Sequence, residues 1–136
     1  MKKILWIIFL LFFIYLYLPI PLSGQNGTYN IISGLIWCSN NYSCLHEAGH
    51  KLDDDLNWPS QKKEFLNAVQ IYMIVDIINN KYDNFTKIIL NNQTINYGTF
   101  GNPHAELYAE IYAEANGNIK NIPPSLQKFY IKENIK

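Results

Sequence analysis

The sequence predicts an α+β fold, mainly α: one small domain with a small β-sheet or hairpin, preceded by an N-terminal hydrophobic helix. Three observations carry this expectation. Met1-Lys2-Lys3 leads into a charge-free apolar run from Ile4 to Leu18. Three later stretches, near residues 44–56, 60–82 and 103–114, place apolar residues at helical spacing. Between them and the leader, Ile31-Ile32-Ser33-Gly34-Leu35-Ile36-Trp37 is a short apolar stretch of strand type.

At 136 residues there is room for one domain after the leader. What remains is near the lower limit for a self-sufficient core, so a bound metal or a disulfide would help hold it. Formal net charge is zero, which supplies no attraction for nucleic acid, and no nucleic-acid partner is expected. All eleven basic residues are lysine in a chain rich in Asn, Ile and Tyr. In such a composition the sequons at Asn26, Asn41, Asn84 and Asn92 arise easily.

The positive start and apolar run have the layout of a secretory signal. Counted to Leu22, the run is also just long enough to span a bilayer. Pro19 and Pro21 would break a helix near its outer end. Both leading lysines lie on the near side, which leaves the rest of the chain outside the cytoplasm. Residues 1–24 are therefore expected to be a signal peptide or membrane anchor, and the product secreted or anchored through that segment. A buried helix is a poorer reading, because the run has no polar face.

Cys38 and Cys44 enclose turn residues, and outside the cytoplasm a lone pair closing a short loop is most simply a disulfide. A zinc-ligand role for either is the rival. Ser43 is a candidate N-cap for a helix from about Cys44 to Leu56. That helix carries His46-Glu47-Ala48-Gly49-His50. Positions i and i+4 share a face, so His46 and His50 can aim two imidazoles at one zinc ion. Glu47, beside the first, can reach an activated water without binding the metal. A plain amphipathic helix with histidines on its polar face is the bland alternative. Leu45, Ala48, Leu52 and Leu56 form its expected core side, and Asp53 shares the histidine stripe as possible support for a ligand histidine. A solvated helix end is the other reading of Asp53-Asp54-Asp55.

Trp58-Pro59-Ser60 should stop this helix and start the next, a core helix over Ser60 to Tyr82 with Ser60 as N-cap. Residues 79–96 read as loop plus a short element at Ile88-Ile89-Leu90. Tyr97 to Asn102 is a Gly-punctuated loop, and Pro103 suits a helix's first turn. That helix sets Glu106, Glu110 and Glu114 in one stripe and Leu107 and Ile111 on another. Two histidines lack a third protein ligand, and His2Glu is a standard catalytic zinc set. Glu106 is the favoured third ligand, with Glu110 hydrogen-bonded to a ligand histidine. The reverse assignment and His104 are the rivals. Asn116-Gly117 would end this helix, and a last helix is expected from Leu126 to Asn134.

On these residues the chain resembles the gluzincin metallopeptidases, and is similar to the minimal single-domain minigluzincins and the anthrax lethal factor catalytic domain. The matching text is His46-Glu47-x-Gly49-His50-x-x-Asp53 and, further on, Tyr97-Gly98 leading to Glu106-x-x-Ala109-Glu110. The resemblance covers about Ile31 to the C-terminus and rests on those two motifs. It implies a minimal zincin-like domain over 25–136, with zinc on His46, His50 and Glu106. It further implies Glu47 as general base and acid and Tyr97 as oxyanion donor, at a longer spacing from Glu106 than in lethal factor. A metzincin layout is excluded, because Asp53 and Leu56 stand where it needs Gly and His.

The expected function is zinc-dependent hydrolysis of a peptide or protein substrate, with membrane contact through the N-terminal segment if uncleaved. A non-catalytic or latent zinc-binding or protein-interaction module is the alternative.

Overall fold

The computed structural model describes residues 2–18, 26–94 and 102–132. In order these form α1 (Lys2–Tyr17), β1 (Gly27–Asn30), β2 (Leu35–Cys38), α2 (Asn41–Asp55), α3 (Lys63–Ile78), α4 (Asn84–Thr94), α5 (Pro103–Glu114) and α6 (Pro124–Gln127). Short 3-10 turns at Pro59–Gln61, Ile119–Asn121 and Lys128–Tyr130 join them. The expected class is observed: mainly helix with one small antiparallel sheet. Pro19, Pro21 and Leu22 lie outside the described residues. Among the described residues no helix is long and apolar enough to cross a membrane.

β1 and β2 pair antiparallel from Gly27–Cys38 to Asn30–Leu35 around a turn at Ile31–Gly34. Gly34 takes a left-handed backbone there, φ 69°, which glycine adopts without a side-chain clash. Cys38, the last residue of β2, is disulfide-bonded to Cys44 in the first turns of α2, as expected. The helix starts earlier than Ser43 suggests. Asn40 is the N-cap, accepting from the Ser43 amide at 2.8 Å, and the Ser43 hydroxyl accepts from the Asn40 amide at 3.2 Å. This reciprocal box satisfies two orphan donors and outcompetes a later start.

The core is made by α3, α4, α5 and the C-terminal turns: Phe65, Val69, Ile89, Leu107, Tyr108, Ile111, Ile122, Leu126 and Tyr130. Tyr108 and Tyr130 stack with centroids 4.0 Å apart. Their hydroxyls donate to the backbone carbonyls of Phe129 and Tyr108, so neither phenol is buried unsatisfied.

Several expectations on helices are revised. Residues 84–94 form a full helix, not a loop with a short element. Asp83 begins it, accepting from the Thr86 amide at 2.9 Å. Ser60 lies in a 3-10 turn, and α3 begins at Lys63. α3 is not enclosed: Ile71, Ile74, Val75 and Ile78 stay exposed. Its other face packs against α4 and α6 through Phe65 and Val69. The last helix is one turn, Pro124–Gln127, followed by the 3-10 turn to Tyr130, and Asn134 lies outside the described residues.

Candidate metal centre

Among the described residues, α2 and α5 make the most extensive helix contact. Its closeness has a local cause. A Cβ at Gly49 would stand 2.7 Å from Ala109 Cα and 3.1 Å from its carbonyl oxygen. Only glycine in α2 opposite alanine in α5 lets the backbones meet at this point. The buried residues of α2 are accordingly Ser43, Glu47, Gly49 and Asp53, whereas the expected core side, Leu45, Ala48, Leu52 and Leu56, is only half-buried.

The approach brings three donors together. His46 Nε2 lies 3.1 Å from His50 Nε2 and 3.2 Å from Glu106 Oε2, and His50 Nε2 lies 3.4 Å from Glu106 Oε1. Among the described residues this is the group of His, Cys, Asp and Glu whose ligand atoms could hold a metal ion. The spacing fits zinc: bonds of about 2.0–2.1 Å at tetrahedral angles place donors roughly 3.3–3.4 Å apart. Two imidazoles and a carboxylate are also a donor set that zinc takes.

Glu110 sits one turn further along α5, with Oε1 3.3 Å from His46 Nδ1. It thus faces the opposite edge of the ring from Glu106. A hydrogen bond there holds a proton on Nδ1 and leaves the Nε2 lone pair for a metal ion. The Tyr42 hydroxyl donates to the other Glu110 oxygen. Glu114 is turned away and accepts from Asn84. His104 is exposed and outside the cluster; Asn102 caps its helix by accepting from the His104 amide.

The charges are coupled. Burial opposes a positive His46, but hydrogen bonds to Glu106 and Glu110 prevail and raise it to about 10. Burial likewise opposes ionised Glu106, yet hydrogen bonds to His46 and His50 bring it down to about 2. Glu110 is lowered, with burial outweighed by His46 and Tyr42. A cation bound here would replace a proton among groups already polarised for it.

Glu47 is buried and its side chain lies against β1. Burial pushes its carboxyl above the ordinary range, with His50 and His46 pulling down and Glu106 pushing up. β1 passes directly over it: a Cβ at Gly27 would stand 2.8 Å from Glu47 Cγ and Oε1. A cleft of about 680 Å³ opens above, lined by Gly27, Thr28 and Tyr29 of β1 and by His46, Glu47, His50, Glu106 and Glu110.

Asp53 does not support a ligand histidine through a hydrogen bond. Its buried carboxylate accepts from Ser60 Oγ at 2.6 Å and the Ser60 amide at 3.0 Å. Asn57 and Trp58, both left-handed, turn the chain back after α2 and deliver Ser60 to it. Its charge still reaches His50 electrostatically. Tyr97 lies outside the described residues.

Four contributors escaped the sequence reading: Gly49 as a contact point, Gly27, Tyr42 and Ser60. Only Gly49 left a signal, since glycine within a helix costs about 1 kcal/mol against alanine and points to close packing. No family model, curated protein or solved structure matches the chain.

Proposed function

We propose that the chain is a minimal zinc metallopeptidase of gluzincin type, with a zincin-like domain over residues 25–136, exported or tethered by its N-terminal segment. The observation that carries this reading is the convergence of His46, His50 and Glu106 on one point of an open cleft, beside buried Glu47. His46 and His50 would hold zinc through Nε2 and Glu106 through its carboxylate. Bound there, zinc supplies a Lewis acid that polarises a peptide carbonyl and makes water a nucleophile near neutral pH.

The chain's own residues supply the rest. A Glu47 carboxylate oxygen takes a proton from the attacking water and passes it to the departing amine. A carboxyl raised above the ordinary range by burial suits a group that must hold that proton between the two transfers. Glu110 accepts from His46 Nδ1 and fixes the tautomer, while Tyr42 steadies Glu110. β1 walls the cleft with Gly27, Thr28 and Tyr29, and the open cleft of about 680 Å³ would take a stretch of extended peptide. The role of oxyanion donor falls to Tyr97 on the resemblance alone.

Incubation of purified protein with mixed peptides, with and without chelator and zinc, tests the proposal. Glu47→Gln should keep its zinc and its fold and lose about 10²–10⁴-fold in cleavage rate. Unchanged cleavage in Glu47→Gln would refute the mechanism. Zinc bound at one equivalent with no cleavage of any peptide would favour the interaction-module alternative.

A further inference from the structure

Between Lys3 and Glu47 the chain contains no Lys, Arg, Asp or Glu. That stretch comprises α1 from Ile4 on, both strands and the first turns of α2, while nine of the eleven lysines and every acidic residue follow it. Within it the turn residues Ile31 and Ile32 are 56% and 58% exposed. Leu35 and Trp37 of β2 are exposed as well, and alternation puts them on one face of the sheet.

This face adjoins the end of α1. Asn30 stands directly opposite Leu35 in the antiparallel register and so shares its face. The Asn30 side-chain amide donates to the Leu16 carbonyl at 2.8 Å and to the Leu18 carbonyl at 3.4 Å. The hairpin therefore takes up carbonyls that the end of α1 leaves unpaired. The exposed apolar residues of α1 and the exposed Ile31, Ile32, Leu35 and Trp37 thus belong to two elements joined at Asn30, with no charged residue in either from Ile4 on.

We propose that the turn and outer face of the β1–β2 hairpin rest in the interface of a phospholipid bilayer, on the side where α1 ends. The proposal rests on the reading that α1 is retained as a membrane anchor. Sixteen residues of α1 reach only about 24 Å, against a hydrocarbon core of about 30 Å. A helix that short draws the surface at its end toward the lipid, and the hairpin bearing Ile31, Ile32, Leu35 and Trp37 is held to that end through Asn30. Trp37 and Tyr17 are of the residue types that settle at headgroup level. Ile31 also lines the cleft, so docking would hold the cleft mouth at the bilayer surface.

The test uses the full chain in phosphatidylcholine vesicles carrying some brominated acyl chains. Cys38 and Cys44 are paired, so Ile32→Cys, Ile14→Cys and Lys120→Cys each present one thiol for an environment-sensitive fluorophore. The label at 32 should be blue-shifted, quenched by bromine and protected severalfold from iodide relative to the one at exposed position 120. Trp37 emission in a Trp6→Phe, Trp58→Phe chain should shift to the blue on adding vesicles, checking the same face without a label. A label at 32 as open to iodide as at 120 overturns the proposal. If the label at 14 is then still quenched by bromine, the anchor reading survives; if it too is aqueous, both fall.

Discussion

Replacing Gly49 by alanine isolates the contact that sets the spacing of α2 and α5. The new Cβ would meet Ala109 Cα at 2.7 Å, where ordinary contact begins at 3.4 Å. Backbone cannot rotate aside, so the helices must part by about 0.7 Å. Overpacking of this kind costs about 1–3 kcal/mol, and the helix propensity of alanine returns about 1 kcal/mol. A net loss of about 1 kcal/mol is expected for metal-free protein in urea denaturation. The distance from His46 to His50 lies within one helix and is unaffected, but those from both to Glu106 cross the gap. A shift of that size exceeds the roughly 0.2 Å tolerance of a metal–ligand bond. Zinc affinity by competition with a chromophoric chelator should therefore drop at least about tenfold, or about 1.4 kcal/mol. A variant as stable as the parent or more so, with unchanged affinity, would refute the reasoning, since propensity alone would then govern the site.

The two carboxylates of α5 should separate in the same titration. Glu106→Ala should remove most zinc binding, whereas Glu110→Gln should weaken it about 10–100-fold, as loss of a group that orients a ligand does. Equal effects would reverse the distinction drawn between them. Ser60→Ala deprives the buried Asp53 carboxylate of its 2.6 Å hydroxyl partner and should cost about 1.5–3 kcal/mol in urea unfolding. A change near zero would mean that water replaces the hydroxyl. Tyr108 and Tyr130 are raised above the ordinary phenol range, chiefly by burial and further by Asp53 and, for Tyr130, by Tyr108. Their contribution is fully present below pH about 10, where both states are protonated, and is lost above it as the unfolded chain ionises. Stability should fall by up to about 1.4 kcal/mol per pH unit for each phenol, and a flat profile to higher pH would contradict their burial.

What could be read from the sequence was what depends on neighbours along the chain. His46 and His50 are four residues apart, and one turn of helix suffices to align them. The Cys38–Cys44 bridge and the helix opened by Pro103 are local in the same way. Choosing between Glu106 and Glu110 requires the rotation of α5 about its axis, which is set by Gly49 against Ala109, sixty residues apart. Asp53 lies on the expected stripe, but its partner is decided by two left-handed residues that send Ser60 back toward it. In α4 the polar run Asn91-Asn92-Gln93-Thr94 masked a helical spacing that Phe85, Ile88 and Ile89 do carry. The apolar composition of α3 points to a core helix, yet composition reports affinity for a core and not which faces the neighbouring elements cover.

Every candidate ligand rides on α2 or α5, so a cation shared by them would act as a clasp between two rods. Stripping the ion would then slacken the scaffold as well as disarm the cleft, for in a domain this small the free energy of binding metal is largely free energy of folding. Inhibition by a chelator would by itself report a lost shape as readily as a lost reagent. Recovery on returning zinc, followed alongside near-ultraviolet circular dichroism, is what separates the two.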